Sequence, residues 1–184
     1  MDYNSITDIG FDFQDGAENA SGIQELAYLV RVSDIQTEGK PDPAGTTSAS
    51  LATITVDHVL KAGKSAIQVQ PFFGKSGNTF ALEGEELSKI FGSNAELMIP
   101  QVSAKALGGA AAIKNTRFIV LVRRTGQNVG FWQIGSGAMP AKVQDAAGGF
   151  GVGPTAEVGI KITLKAYDIV PMYEYLGELP VPAP

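Results

Sequence analysis

The sequence has no cysteine, which removes disulfides, thiolate metal sites and cysteine nucleophiles at once. It has a single histidine, His58, and a single tryptophan, Trp132. Long apolar runs are missing too. None exceeds the five residues of Phe118 to Val122, the length of a buried strand and far too short to cross a bilayer. The start, MDYNSITDIG, has neither the basic residues nor the apolar stretch of a signal peptide, so the chain reads as a soluble protein made in the cytoplasm. Without that signal the triplet Asn19-Ala20-Ser21 has no glycosylation to direct. Fourteen basic residues against nineteen acidic ones leave a net charge of −5, which argues against tight nucleic-acid binding.

What is present suits a single domain. At 184 residues with 44% apolar side chains, the chain is long enough and apolar enough to bury a core. The 22 glycines and 10 prolines favour many turns and irregular connections over a helical bundle.

Residues 1–22 are polar and read as an N-terminal arm. Leu26, Tyr28, Val30 and Val32 then alternate with Glu25, Ala27, Leu29 and Arg31, a strand over 25–32 with both faces covered. The stretch 37–50, TEGKPDPAGTTSAS, has no periodicity and predicts a long loop. Alternation over 52–57 and 67–70, with a turn at 60–64, predicts a hairpin over 52–70. A strand follows at 78–82. A helix is expected at 85–91, with Glu85 and Glu86 in its first turn, Lys89 in its last and Gly92 beyond. Residues 96–102 read as an edge strand because of Pro100. Ser103 is placed to cap a helix at 104–113, although Gly108 and Gly109 each weaken it by about 1 kcal/mol against alanine. Arg117–Arg124, a turn at 125–128 and a return over 129–134 form a hairpin with a buried first strand. A glycine-rich loop is expected at 144–154. Ile160, Ile162, Leu164 and Ala166 then alternate with Lys161, Thr163 and Lys165 in the cleanest strand pattern of the chain. An extended tail covers 168–184, with four prolines. The fold class is mainly β: a β-sandwich or partly open barrel with one or two short helices.

No residue set carries catalysis. His58 shares a strand face with Ala52, Ile54 and Val56, so Asp57 points the other way and cannot orient the ring as a triad acid would. The Gly-Lys-Ser triplets at 63–65 and 74–76 have His58 and Val69 where a phosphate loop needs glycine. The glycines at 148–153 precede Pro154 and a strand where a dinucleotide fold needs a helix. Glu83, Glu85 and Glu86 could ligate calcium or act as an acid–base pair, but the dipole of the expected helix accounts for the last two. Trp132 beside Phe131 could stack a sugar or base, though a core aromatic fits as well. No catalytic, cofactor-binding or metal-binding residue is therefore assigned, and no cofactor is expected.

The second half carries a recognisable order. A small-residue helix (SAKALGGAAAIKN, 103–115) leads to a buried strand (RFIVLVRR, 117–124). A return strand ends in Gly-Ser (FWQIGSGAMPAKV, 131–143), and a final strand has an aromatic, proline-bearing exit (GIKITLKAYDIVPMY, 159–173). This order resembles the tail tube proteins of long-tailed phages, particularly those of Bacteroidetes hosts. The resemblance implies a virion structural protein and not an enzyme. Six subunits would join sheet edges into a ring around a lumen, and rings would stack through an N-terminal arm, a C-terminal segment and a long loop. Residues 1–22, 168–184 and 37–50 are the candidates for these roles. Implied partners are further copies of the chain, other tail proteins and DNA as non-specific cargo, with no membrane; the implied location is the virion tail. Open sheet edges suit such pairing. Six copies at −5 each would carry −30, so a negative lumen would let DNA slide without adhering. The alternatives are another virion component, such as a capsid-decorating protein or a contractile-tube subunit, a carbohydrate-binding β-sandwich relying on Trp132, or an enzyme built on carboxylates.

Overall fold

The computed structural model describes residues 21–153 and 155–182; the expected N-terminal arm lies outside them apart from its last two residues. β1 (Ile23–Arg31) runs through a short 3-10 turn into β2 (Ile35–Thr37). After a long connection come α1 (Ser48–Ala52), β3 (Thr53–Ile54), β4 (Val59–Leu60) and β5 (Ile67–Val69). The long strands follow: β6 (Gly77–Glu83), β7 (Ile90–Ile99), then α2 (Ala104–Ile113), β8 (Arg117–Arg124) and β9 (Phe131–Ile134). β10 (Ala141–Gly149), β11 (Gly159–Asp168), β12 (Tyr173–Tyr175) and β13 (Val181–Pro182) complete the described chain. The fold is mainly β, with open sheets.

β1 and β8 form the middle layer. They pair antiparallel over most of their length, and alternate side chains enter two separate cores. Ala27, Leu29, Phe118, Val120 and Val122 meet Ala95, Leu97, Ile160, Ile162 and Leu164 on one side. Val30, Ile119 and Leu121 meet Ile54, Leu60, Phe131 and Tyr175 on the other. The period-2 pattern with two covered faces is thus a strand pair buried within its own chain.

The far edge of β8 divides. Its first residues pair with β10 and its later ones with β9. The β10 branch continues through β11 and β7 to β6, while the β9 branch continues through β12 to β3. Gly126, with φ 79°, closes the β8–β9 turn in a left-handed conformation that favours glycine. Ser103 caps α2, its side chain accepting the N–H of Ala106 at 3.2 Å, as its placement predicted. Ile160, Ile162, Leu164 and Ala166 are all buried, as the alternation required.

Several local expectations are corrected. Residues 85–91 form no helix: a turn after Gly84 leads into β7, and Leu82 pairs with Phe91 across a hairpin. Leu87 is wholly exposed in that turn. The hairpin over 52–70 does not exist. β3 pairs in parallel with β12, β4 pairs with β2 and β13, and β5 pairs with β1. β7 is interior, flanked by β11 and β6, and Pro100 lies just past its end. The glycine-rich segment from 144 to 149 belongs to β10, so the loop there is only 150–158. The return strand begins at Phe131 rather than Val129. The tail is not simply extended but contributes β12 and β13. The connection 37–50 ends in a capped helical turn, Thr47 and Ser50 bonding reciprocally.

Candidate assembly surface

The sequence-based site candidates resolve into structural roles. His58 sits in an irregular segment between β3 and β4, buried, while Val56 is exposed; the shared strand face is corrected. Gly39 N–H donates to His58 Nδ1 at 3.0 Å, so that nitrogen is unprotonated and Nε2 carries the hydrogen toward Gln133 Oε1 at 2.8 Å. The ring stacks on Tyr175, with centroids 4.7 Å apart and planes 7° from parallel. His58 N–H donates to the Tyr175 hydroxyl, which donates to Glu178 C=O. Asp57 accepts from Glu178 N–H at 2.9 Å and does not touch the ring. Burial holds the imidazole pKa below its usual value, against smaller opposing effects of Gln133, Glu38 and Asp57. This histidine has two ring partners and a stacking partner, and none is a substrate-facing group.

Both Gly-Lys-Ser triplets occupy turns, with Gly63 at φ 71° and Gly74 at φ 88°. Lys75 Nζ lies 2.8 Å from Glu157, and Lys64 Nζ lies 4.0 Å from Asp34, so each lysine faces a carboxylate. Glu83 is claimed by Lys165 at 2.7 and 3.1 Å, a hydrogen bond that holds its carboxyl below the usual range. Glu85 and Glu86 stand exposed in the β6–β7 turn, which corrects their assignment to a helix start. Among the described residues no group of three His, Asp or Glu side chains could hold a metal, and no helix is long and apolar enough to cross a membrane. Trp132 is half-buried against the first core. Phe131 is buried beneath the Arg123 guanidinium, 4.4 Å from its ring centre. Neither aromatic is the open platform a sugar needs.

The surface that does stand out is β6. It pairs with β7 alone among the described residues, over seven consecutive positions without a register shift. Monomeric proteins blunt such an edge with proline, lysine, a bulge or extreme shortness. β6 (GNTFALE) has none of these, and Glu83, its one charge, is engaged by Lys165. Asn78, Phe80 and Leu82 share the face of Ala95, Ser93 and Phe91, which is the core side of the sheet. The core has run out at this end, leaving Phe80 52% and Leu82 53% exposed. Phe80 packs edge to face with Phe91, with centroids 6.2 Å apart.

More apolar surface lies beyond the strand ends. Phe72 and Phe73 precede β6, and Phe150 and Val152 follow β10; the Lys75–Glu157 pair ties these two loops together. Sequence reasoning found the strand but assigned its exposed aromatic no role; absence of proline and lysine in 77–83 was the signal available. No family model, curated protein or solved structure matches this chain.

Proposed function

We propose that the protein is a structural subunit that polymerises by sheet-edge pairing through β6, in the manner of a phage tail tube protein. The observation that carries this reading is the unblunted β6 edge with Phe80 and Leu82 half-exposed beside it. A second strand laid along that edge would satisfy its outward N–H and C=O groups and cover both side chains. A contact from β6 to a different edge of the next copy is head-to-tail, and such contacts close into rings when the rotation allows. Phe72, Phe73, Phe150 and Val152 at the strand ends then supply contacts between rings. A ring threaded by DNA as non-specific cargo, located in a virion tail, is the fuller form of the proposal.

The face of β10, β11, β7 and β6 turned from the core carries Lys142, Lys161 and Lys165 against Asp145, Glu96 and Glu83, so it is balanced rather than acidic. Residues 1–20 contain Asp2, Asp8, Asp12, Asp15 and Glu18 and no lysine or arginine. The described residues therefore carry fourteen acidic and fourteen basic side chains, and the chain's net charge of −5 belongs to that segment.

The experiment is negative-stain microscopy with light scattering on purified protein and on the double variant Phe80→Lys, Leu82→Lys. The wild type should form rings or tubes. The variant should remain a single folded subunit by circular dichroism, because both positions are exposed. A wild type that stays strictly monomeric at millimolar concentration refutes the proposal.

A further inference from the structure

The outward face of the sheet carries a row of like charges. Arg117 on β8 stands directly opposite Lys142 on β10, and Lys142 stands directly opposite Lys165 on β11. All three turn away from the core, into which their neighbours Phe118, Ala141 and Leu164 point. Like charges directly opposed across strands destabilise a sheet, and this chain has more acids than bases with which to separate them.

The three cations line a cavity of about 600 Å³ walled by Met139, Pro140 and Tyr167, and no carboxylate lines it. Lys165 is compensated from β6 by Glu83 and lies 4.8 Å from the centre of the Tyr167 ring. No carboxylate of the described residues lies within ion-pairing distance of Arg117 or Lys142; the described pairs all involve other cations. The nearby acids are committed or displaced along the strand. Glu96 holds Lys161, Glu38 accepts the Gly137 N–H at 2.6 Å, and Asp145 stands opposite Thr163. The Met139 wall is pre-formed: Ser136 N–H donates to Met139 C=O, and Met139 N–H donates to Ser136 Oγ.

We propose that this row is an oxyanion site that takes a phosphate group. A guanidinium offers a planar fork that matches two phosphate oxygens, and an adjacent ammonium adds a compact charge. Adjacent strands lie about 4.8 Å apart, so the Arg117 and Lys142 heads can close on one phosphate. Lys165 and Tyr167 extend the site by a further strand. Free phosphate and the phosphodiester of a nucleic acid share this chemistry. The site lies within one subunit and stands whether or not the protein polymerises.

The test measures thermal unfolding of the full chain in inorganic phosphate, in pyrophosphate and with a short oligonucleotide, each against chloride at matched ionic strength. Phosphate should raise the Tm of the wild type beyond chloride. Lys142→Gln should abolish that rise. At low salt it should itself melt about 1–4 °C above the wild type, because two like-charge contacts disappear. Lys161→Gln, on the same face but paired with Glu96, should keep the phosphate effect. A response to phosphate or pyrophosphate alone identifies a free anion as the source. A larger, steeply salt-dependent response to the oligonucleotide identifies a nucleic-acid backbone. Identical melting of the wild type in all probes and chloride, or an undiminished effect in Lys142→Gln, overturns the proposal.

Discussion

The two branches that leave β8 are built on different terms. The β9–β12–β3 branch is short-stranded and closed by side chains: His58, Gln133, Tyr175 and Glu178 link four segments through bonds of 2.8–2.9 Å. Gly39 joins the same network from the 37–50 connection at 3.0 Å. The β10–β11–β7–β6 branch has strands of seven to ten residues, is held by long antiparallel ladders with one register shift between Val143 and Asp145, and ends in apolar side chains left half-exposed. The first branch spends its polar groups internally, and a network of that kind tolerates little disturbance. The second leaves its last ladder open, which is where a partner strand can add. On the proposed reading, stability and association fall to opposite ends of one molecule.

Breaking the closed branch should have the largest effect. His58→Ala leaves the Gly39 N–H and Gln133 Oε1 without partners and opens a cavity beside Tyr175, so it should cost roughly 3 kcal/mol. That corresponds to a fall in Tm of about 6–12 °C, read by calorimetry. Gly39→Ala should cost about 2 kcal/mol, since an added methyl runs into the Val56 carbonyl and the backbone must move; urea titration measures it. Acid should weaken the same branch. His58 has a folded pKa below its ordinary 6.5, so the unfolded chain takes up the proton first. Its contribution is complete above pH 6.5 and declines as pH falls from there toward the folded value. His58→Gln should flatten that part of a stability–pH curve. Glu83→Gln on the open branch should have the smallest effect at neutral pH, because the pair with Lys165 is solvent-screened. It should instead strengthen the phosphate response, by releasing a third cation beside Arg117 and Lys142.

The same division governs what could be read from the sequence. β8 was legible as a continuous apolar run buried on both faces, β11 because its partners cover it in a pattern of period two, and α2 because Ser103 announces its start. The spacing of Leu87, Ile90 and Phe91 fits a helix equally well. It lost to a hairpin because Phe91 gains Leu82 and Phe80 as cross-strand neighbours, a contact that local spacing does not encode. The segment 52–70 was misread for the same reason in stronger form: β3 and β4 find partners in β12 and β13, more than 110 residues away. Two covered faces on 25–32 and 117–124 were legible, and their cover comes from within the chain. Both faces are filled by the chain's own two cores, so they supply no motive for self-association. That motive rests on β6, where the informative feature is a short list of residues that are missing.

Hydrogen exchange at β6 is the most direct test. In dilute protein, the amides of 77–83 that point away from β7 should exchange rapidly, while those bonded to β7 exchange slowly. On concentration into assemblies, the outward amides should slow by at least about tenfold, a protection of roughly 1.4 kcal/mol, while amides in β9 and β12 stay unchanged. Outward amides of β6 that exchange at the same rate in dilute protein and in assemblies would contradict edge pairing as the basis of association.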